Sequence, residues 1–290
     1  MRLVTFEDGR GQRLGVLQGE EIVDATAAGN LPETIVEYCG NDRLKELAKA
    51  VDGAPRLRLA DVRLLAPIPR PTKNIFCVGK NYHEHAKEFH DSGFDASAGA
   101  AAIPDLPIIF TKAATTVIGP GAPIPGSSDP TQSVDYEGEL TVVIGKGGRG
   151  IKKADAYGHV FGYTILNDVT ARTLQHAHKQ WFLGKNLDGF GPMGPCVVTA
   201  DEVPDVTKLR LATRVNGEVR QSADVSDLIF DIPTLIETLS GVMTLEPGDL
   251  IATGTPVGVG IGFKPPKYLK VGDTVSVTIE PIGTLTNPVA

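Results

Sequence analysis

Residues 135–145, DYEGELTVVIG, constrain the fold more than any other stretch of the chain. Side chains two apart on a strand share a face, so Asp135, Glu137 and Glu139 form one row. For an isolated E-x-E the simplest reading is a solvated strand face. Here the next residues, LTVVIG, are a continuous apolar run, so the strand enters a core directly after its acidic end. Carboxylates gathered at the rim of a core repel one another and need a cation or protons.

The remaining segments supply partner strands. RLVTFED and RLGVLQGEEIVDA flank a GRGQ turn and read as a hairpin. NIFCVGKNY, IIFTKA, LRLATRVNGEVRQS with its Asn216-Gly217 turn, and DTVSVTIEPIGTL continue the strand count. Apolar residues recur at helical spacing in LPETIVEYCGNDRLKELAKAV, and two clear helices interrupt the later strands, around residues 169–180 and 232–243. The 33 Gly and 21 Pro among 290 residues fit a many-stranded, turn-rich chain. The pattern predicts an α+β protein, mainly β, built as a mixed β-roll or sandwich and not as a doubly wound parallel sheet.

Three prolines in five positions of LLAPIPRPTK deny the N–H groups that a helix or central strand needs. A boundary falls near residues 66–72, dividing a small N-terminal α+β domain, 1–68, from a larger domain, 69–290. Within the latter, HEHAKEFHDSGFDASAGAAAIPDLP is a charged helical start that dissolves into small residues. It has little apolar area to hold itself down and reads as a mobile lid over about 83–106.

Several function classes are excluded. The formal charge of −7, from 28 basic and 35 acidic residues without a dense Lys/Arg run, argues against nucleic acid. No apolar run is long enough for a bilayer and the N-terminus turns polar too early for a secretory signal, so no membrane association and a cytoplasmic location are expected. Cys39, Cys77 and Cys196 are far apart and read as small buried hydrophobes. GKGGRG at 145–150 matches G-x-G-x-x-G, but the next segment, IKKADAYGHVFGYT, is broken by Gly158 and Gly162 and lacks the apolar face of a crossover helix; a plain turn is the better reading. TGTPVGVGIGFK has no G-K-[ST] ending, and its glycines are read as letting backbone approach a ligand.

A further acid, Asp168, ends the apolar strand of YTILNDVTAR just before a helix. Asn167 or Asp168 could simply cap that helix, a reading at least as good from the residues alone. Taken with Glu137 and Glu139, three oxygen ligands without a nearby Cys suit Mg²⁺ or Mn²⁺ better than zinc. In the lid, His85 and Glu88 are three apart and face the same way; such a pair can position a water and take its proton. His83 and His90 read as an exposed helix face, His176 and His178 as surface or interface residues, and Lys112 as a surface lysine.

Together, VGKNYHEHAKE, DYEGELTVVIGK, GYTILNDVTAR, GKNLDGFGPMGP, VNGEVRQ and TGTPVGVG resemble, in order, the fumarylacetoacetate hydrolase family over roughly residues 74–281. The resemblance implies a mixed β-sandwich roll, a homodimer, and Mg²⁺ or Mn²⁺ at Glu137, Glu139 and Asp168. It also implies a small 2-oxo acid substrate, with His85 and Glu88 as the water-activating dyad and Lys185 reaching the substrate. Arg172, Gln175 and Thr255 fall at substrate-binding or neighbouring positions. Thr173 stands where many members carry an acid. The leading expectation is a metal-dependent acylpyruvate hydrolase of the fumarylpyruvate type, in breakdown of aromatic compounds or sugars. A decarboxylase or isomerase of 2-oxo or 2-hydroxydienoate acids is the alternative, and a non-catalytic acid-binding protein the third reading.

Overall fold

The computed structural model describes residues 1–41, 43–94 and 102–290. The main sheet runs in the order 56–58, 21–24, 11–18, 2–8, 191–199, 160–167, 138–144, 250–252, 75–79 and 108–112. Along this path neighbours are antiparallel except 250–252 beside 75–79, which is parallel; off it, 63–64 pairs antiparallel with 2–8 and 117–118 parallel with 191–199. A second, four-stranded sheet has the order 218–224, 210–215, 274–279, 283–288. This is the mixed, mainly β architecture that the strand pattern predicts.

Gly138–Ile144 is buried along its whole length. Leu140, Val142 and Ile144 share a core with Leu211, Val277, Ile279 and Leu285 of the second sheet, while Val143 on the opposite face packs with Leu3, Ile75 and Leu250. Alternate side chains thus fill two cores, which is why the segment is apolar without alternation. At Gly138 the two sheets come too close for a side chain: a Cβ would lie 2.3 Å from Thr213 Oγ1 and 2.9 Å from Val277. The glycine between the two glutamates is therefore set by sheet packing.

The N-terminal segment joins the same sheet. Arg2 and Leu3 pair with Val198 and Val197, and Thr5 Oγ1 donates to Pro67 O at 2.7 Å across the proline-rich stretch. The helical pattern of residues 31–51 resolves into two short helices, Ile35–Tyr38 and Leu44–Ala50. The first is closed by a capping box of Thr34 and Glu37. Both hairpins read from sequence form, Asn216 and Gly217 taking φ of 51° and 83° as a tight turn between Arg210–Val215 and Glu218–Asp224 requires. The later helices are Arg172–Ala177 and Ile232–Val242. GKGGRG is a turn, its Gly145 and Gly148 N–H groups donating to His159 O and Leu245 O. The segment expected to form a lid begins as the helix His83–Asp91; its small-residue part, 95–101, lies outside the described residues. No helix among the described residues is long and apolar enough to cross a membrane.

Candidate active site

Glu137, Glu139 and Asp168 are all buried, and each offers a carboxylate oxygen within 4.8 Å of the others'. Antiparallel pairing of Gly138–Ile144 with Val160–Asn167 aligns Gly138 with Asn167, which brings Asp168 level with the glutamates. Asp168 N–H donates to Glu137 O at 2.8 Å, and Asn167 Oδ1 accepts from Glu137 N–H at 3.0 Å. The helix-cap reading fails for both residues. The helix begins only at Arg172, after Ala171, with no side-chain cap bond.

Three cations answer this charge. Lys185 Nζ bridges Glu137 Oε2 and Asp168 Oδ2, both at 2.7 Å, and Arg172 Nη1 lies 2.7 Å from Glu137 Oε1. Lys112, read from sequence as a surface lysine, is fully buried. Its Nζ is 2.8 Å from Asp168 Oδ1 and donates to Val169 O at 3.1 Å and to Lys185 O. The edge-strand sequence IIFTKA carries no sign that its lysine points inward. Asp135, the first acid of the row, stands apart from the triad because the strand is interrupted between Asp135 and Gly138. It accepts from Arg172 Nε at 2.9 Å, Gly260 N–H at 2.7 Å and Ile261 N–H at 3.0 Å, and so orients the arginine.

Glu139 alone of the triad makes no ion pair among the described residues; it accepts from Gly254 N–H at 2.9 Å. Burial, then the charges of Asp168 and Glu137, push its carboxyl well above the ordinary range. For Glu137, burial acts upward too, but Lys185, Arg172 and His85 together outweigh it and hold the carboxyl at about 2. Three convergent carboxylates, one of them short of positive charge, fit a hard divalent cation with oxygen ligands.

The dyad faces the same space. His85 Nδ1 lies 3.2 Å from Glu88 Oε2 on the helix His83–Asp91. An ionised Glu88 can only accept, which leaves Nδ1 as the donor and Nε2 as the basic nitrogen. Gly258 N–H holds Glu88 from behind, 3.1 Å from Oε1 and 3.3 Å from Oε2. The glycines of TGTPVGVGIGFK thus let backbone approach Glu139, Glu88 and Asp135.

His85, Glu137, Glu139, Arg172, Gln175, Lys185 and Thr255 line one small cavity with Lys80, Phe89, Phe110 and Trp181. Gln175 Oε1 accepts from Arg172 Nη1 at 3.1 Å, whereas Arg172 Nη2 is buried without a protein acceptor among the described residues. Thr255 Oγ1 donates to Gly138 O at 3.0 Å and accepts from Gln221 at 2.8 Å. Thr173 contributes a backbone N–H to Ser133 Oγ. His83 is exposed and His90 half-buried on the lid helix; His176 and His178 are exposed. Lys80 and the aromatic wall are the lining residues that sequence spacing missed; Lys80 sits in VGKNY at a left-handed φ of 56°.

The fold and this constellation define the fumarylacetoacetate (FAA) hydrolase family: residues 74–290 match its C-terminal domain, and the chain belongs to it. Relatives named for an activity include a tautomerase, isomerases and hydrolases. The chain is 52% identical over 271 residues, 91% of its own length and 87% of the relative's, to the oxaloacetate tautomerase YisK of Bacillus subtilis (strain 168). Among solved structures it is similar to a fumarylacetoacetate hydrolase of the psychrophilic Exiguobacterium antarcticum, with TM-score 0.84, 43% identity, and coverage of 100% of this chain and 99% of that one. It is also similar to the maleylpyruvate hydrolase of Sphingobium sp. SYK-6, solved with manganese (II) ion and pyruvate, with TM-score 0.80, 34% identity and the same coverages.

Proposed function

We propose that this chain is a divalent-metal-dependent tautomerase that interconverts the enol and keto forms of a short 2-oxo diacid of the oxaloacetate type, with Mg²⁺ or Mn²⁺ at Glu137, Glu139 and Asp168. The observation that carries the reading is a supported base, His85 on Glu88, opening onto the same small cavity as Glu137 and Glu139 of the acidic triad. The 52% identity to an oxaloacetate tautomerase gives it further support.

Arg172 Nη2, buried without an acceptor among the described residues, suits a substrate carboxylate, and Gln175 fixes the guanidinium plane. When bound, the cation supplies Lewis-acid polarisation of the 2-oxo and carboxylate oxygens. Lys185 adds a fixed positive charge beside Glu137 and Asp168, where charge grows on the 2-oxo oxygen as C3 loses its proton. His85 Nε2 takes that proton in the keto-to-enol direction, and the imidazolium, stabilised by Glu88, then gives a proton to the enolate oxygen; the reverse direction runs the same two transfers backwards. The net change moves one proton between C3 and the enol oxygen. No heavy-atom bond breaks and no water is consumed.

The second reading is acylpyruvate hydrolysis, favoured by the likeness to a maleylpyruvate hydrolase across the whole chain. There the same dyad would deprotonate water for attack on a distal carbonyl. Enol absorbance followed with Mg²⁺, together with mass spectrometry of products, separates the two. Oxaloacetate enol should convert without a change of mass, and His85→Ala should slow it by about 10²–10⁴-fold. Efficient cleavage of an acylpyruvate into two acids, with no acceleration of oxaloacetate ketonisation, would overturn the tautomerase in favour of the hydrolase.

A further inference from the structure

Trp181, the one tryptophan of the chain, stands in the cavity wall and is 7% exposed. Three elements converge on it. Phe89 of the lid helix meets it edge-on with centroids 6.0 Å apart, and Phe110 of the edge strand Ile108–Lys112 does so at 5.3 Å. The third support is Gly79, where a Cβ would lie 2.2 Å from the indole; the ring occupies the space that any other residue would need.

The aromatic wall starts where the charged groups end. Lys185 Nζ lies 5.0 Å from the centroid of Phe110, and Arg172 Cζ 5.7 Å from that of Phe89. A substrate held by its 2-oxo acid end against these cations therefore meets bulky rings within a short distance. Phe89 sits one residue from Glu88 and Phe110 lies in a paired strand, so neither moves without disturbing the dyad or the sheet. Trp181 precedes the short helix Phe182–Lys185, and its backbone oxygen, accepting from Lys185 N–H at 3.2 Å, ties it to that helix. Its side chain can be shortened while the Lys185 backbone stays in place.

We propose that Trp181 is the specificity-determining residue for substrate length: its indole closes the cavity behind a four-carbon 2-oxo diacid and excludes the longer tails of 2,4-dioxo acids. This rests on the reading of the site as one for 2-oxo acids.

The test compares KM and kcat of wild type, W181A and W181F on oxaloacetate and on fumarylpyruvate with Mg²⁺. In W181A the ratio of KM for fumarylpyruvate to KM for oxaloacetate should fall by about tenfold or more, the scale that one or two methylenes command in a filled pocket, with W181F between. A merely structural role would raise both KM values together, so a ratio unchanged to within about threefold overturns the proposal. Should W181A not fold, W181L carries the same comparison. Because no other tryptophan is present, emission of the wild type reports directly on this wall. Oxalate with Mg²⁺, at a concentration shown by calorimetry to saturate the site, should shift it, and an unchanged spectrum counts against the proposal. If the wild type turns over neither compound, the tautomerase reading fails separately. The length claim is then decided by calorimetric affinities of pyruvate and fumarylpyruvate for wild type and W181A, with the same tenfold and threefold limits.

Discussion

Glu139 has burial and two like charges against it, and only the charge of Lys185 and one backbone N–H in its favour. Its carboxyl is raised in the folded state, so without a divalent cation it binds more protons folded than unfolded. Stability from this group is complete below the ordinary value of 4.5 and is lost as pH rises through the raised one. Glu137, held at about 2, acts in the opposite sense: its contribution is present above 4.5 and lost as pH falls toward 2. Melting temperatures after chelation should therefore fall as pH is raised from 4.5, and saturating Mg²⁺ should flatten that slope. Binding at neutral pH should release protons, visible as buffer-dependent heat in calorimetry. Identical slopes with and without Mg²⁺ would sink the assignment. Arg172 offers a second check, since it is buried between Asp135 and Glu137. Arg172→Met strands two carboxylates and should cost about 3–5 kcal/mol in urea unfolding. Legibility at this scale comes from spacing. The row of acids on a strand could be read at once, and the ordered motifs placed Asp168 with it. Lys112 could not be read, because the side chain's direction depends on the pairing of Ile75 with Lys112 across the sheet edge.

At the scale of elements, the segment Gly254–Gly262 matters most, because it holds both halves of the site in register. Gly254 N–H serves Glu139, Gly258 N–H serves Glu88, and Gly260 and Ile261 N–H groups serve Asp135. At Gly262 a Cβ would stand 2.0 Å from Glu88 Oε1, and at Gly258, where φ is 105°, 1.9 Å from Arg220 O. Gly262→Ala should displace Glu88 and leave His85 without its support. We expect kcat to fall by about 10-fold or more with the fold retained in circular dichroism, the expected scale when a base loses its orienting partner. Full activity in that variant would show that Glu88 is not needed where it stands. A control lies outside the cavity lining: Asp231 caps the helix Ile232–Val242 through Thr234 N–H at 2.9 Å. Asp231→Ala should lose about 1 kcal/mol of stability without a change in kcat. Hairpins and this capped helix could be read because their signals are local. The glycine segment could not, since its partners are 170 and 125 residues away in sequence.

Across the whole molecule, the edge of the main sheet beside the cavity is left open among the described residues. Ile108–Lys112 pairs only with Ile75–Gly79, and beside it Leu106 is 76% exposed, Leu183 50% and Phe182 44%. An unpaired edge strand flanked by exposed apolar side chains invites association. The family resemblance implies a homodimer, and this edge is the surface on which we place it. Light scattering on the eluted protein should give twice the chain mass of 30.7 kDa. Replacing Phe182 and Leu183 together by Glu should move it toward the monomer, because like charges would then face each other across a two-fold contact. Their helix also carries Lys185 and directly succeeds Trp181, so a dimer at this edge would brace the cavity wall. In the double variant, KM should then rise along with the shift in mass. A monomeric wild type, or a double variant that remains dimeric with unchanged KM, would place the interface elsewhere.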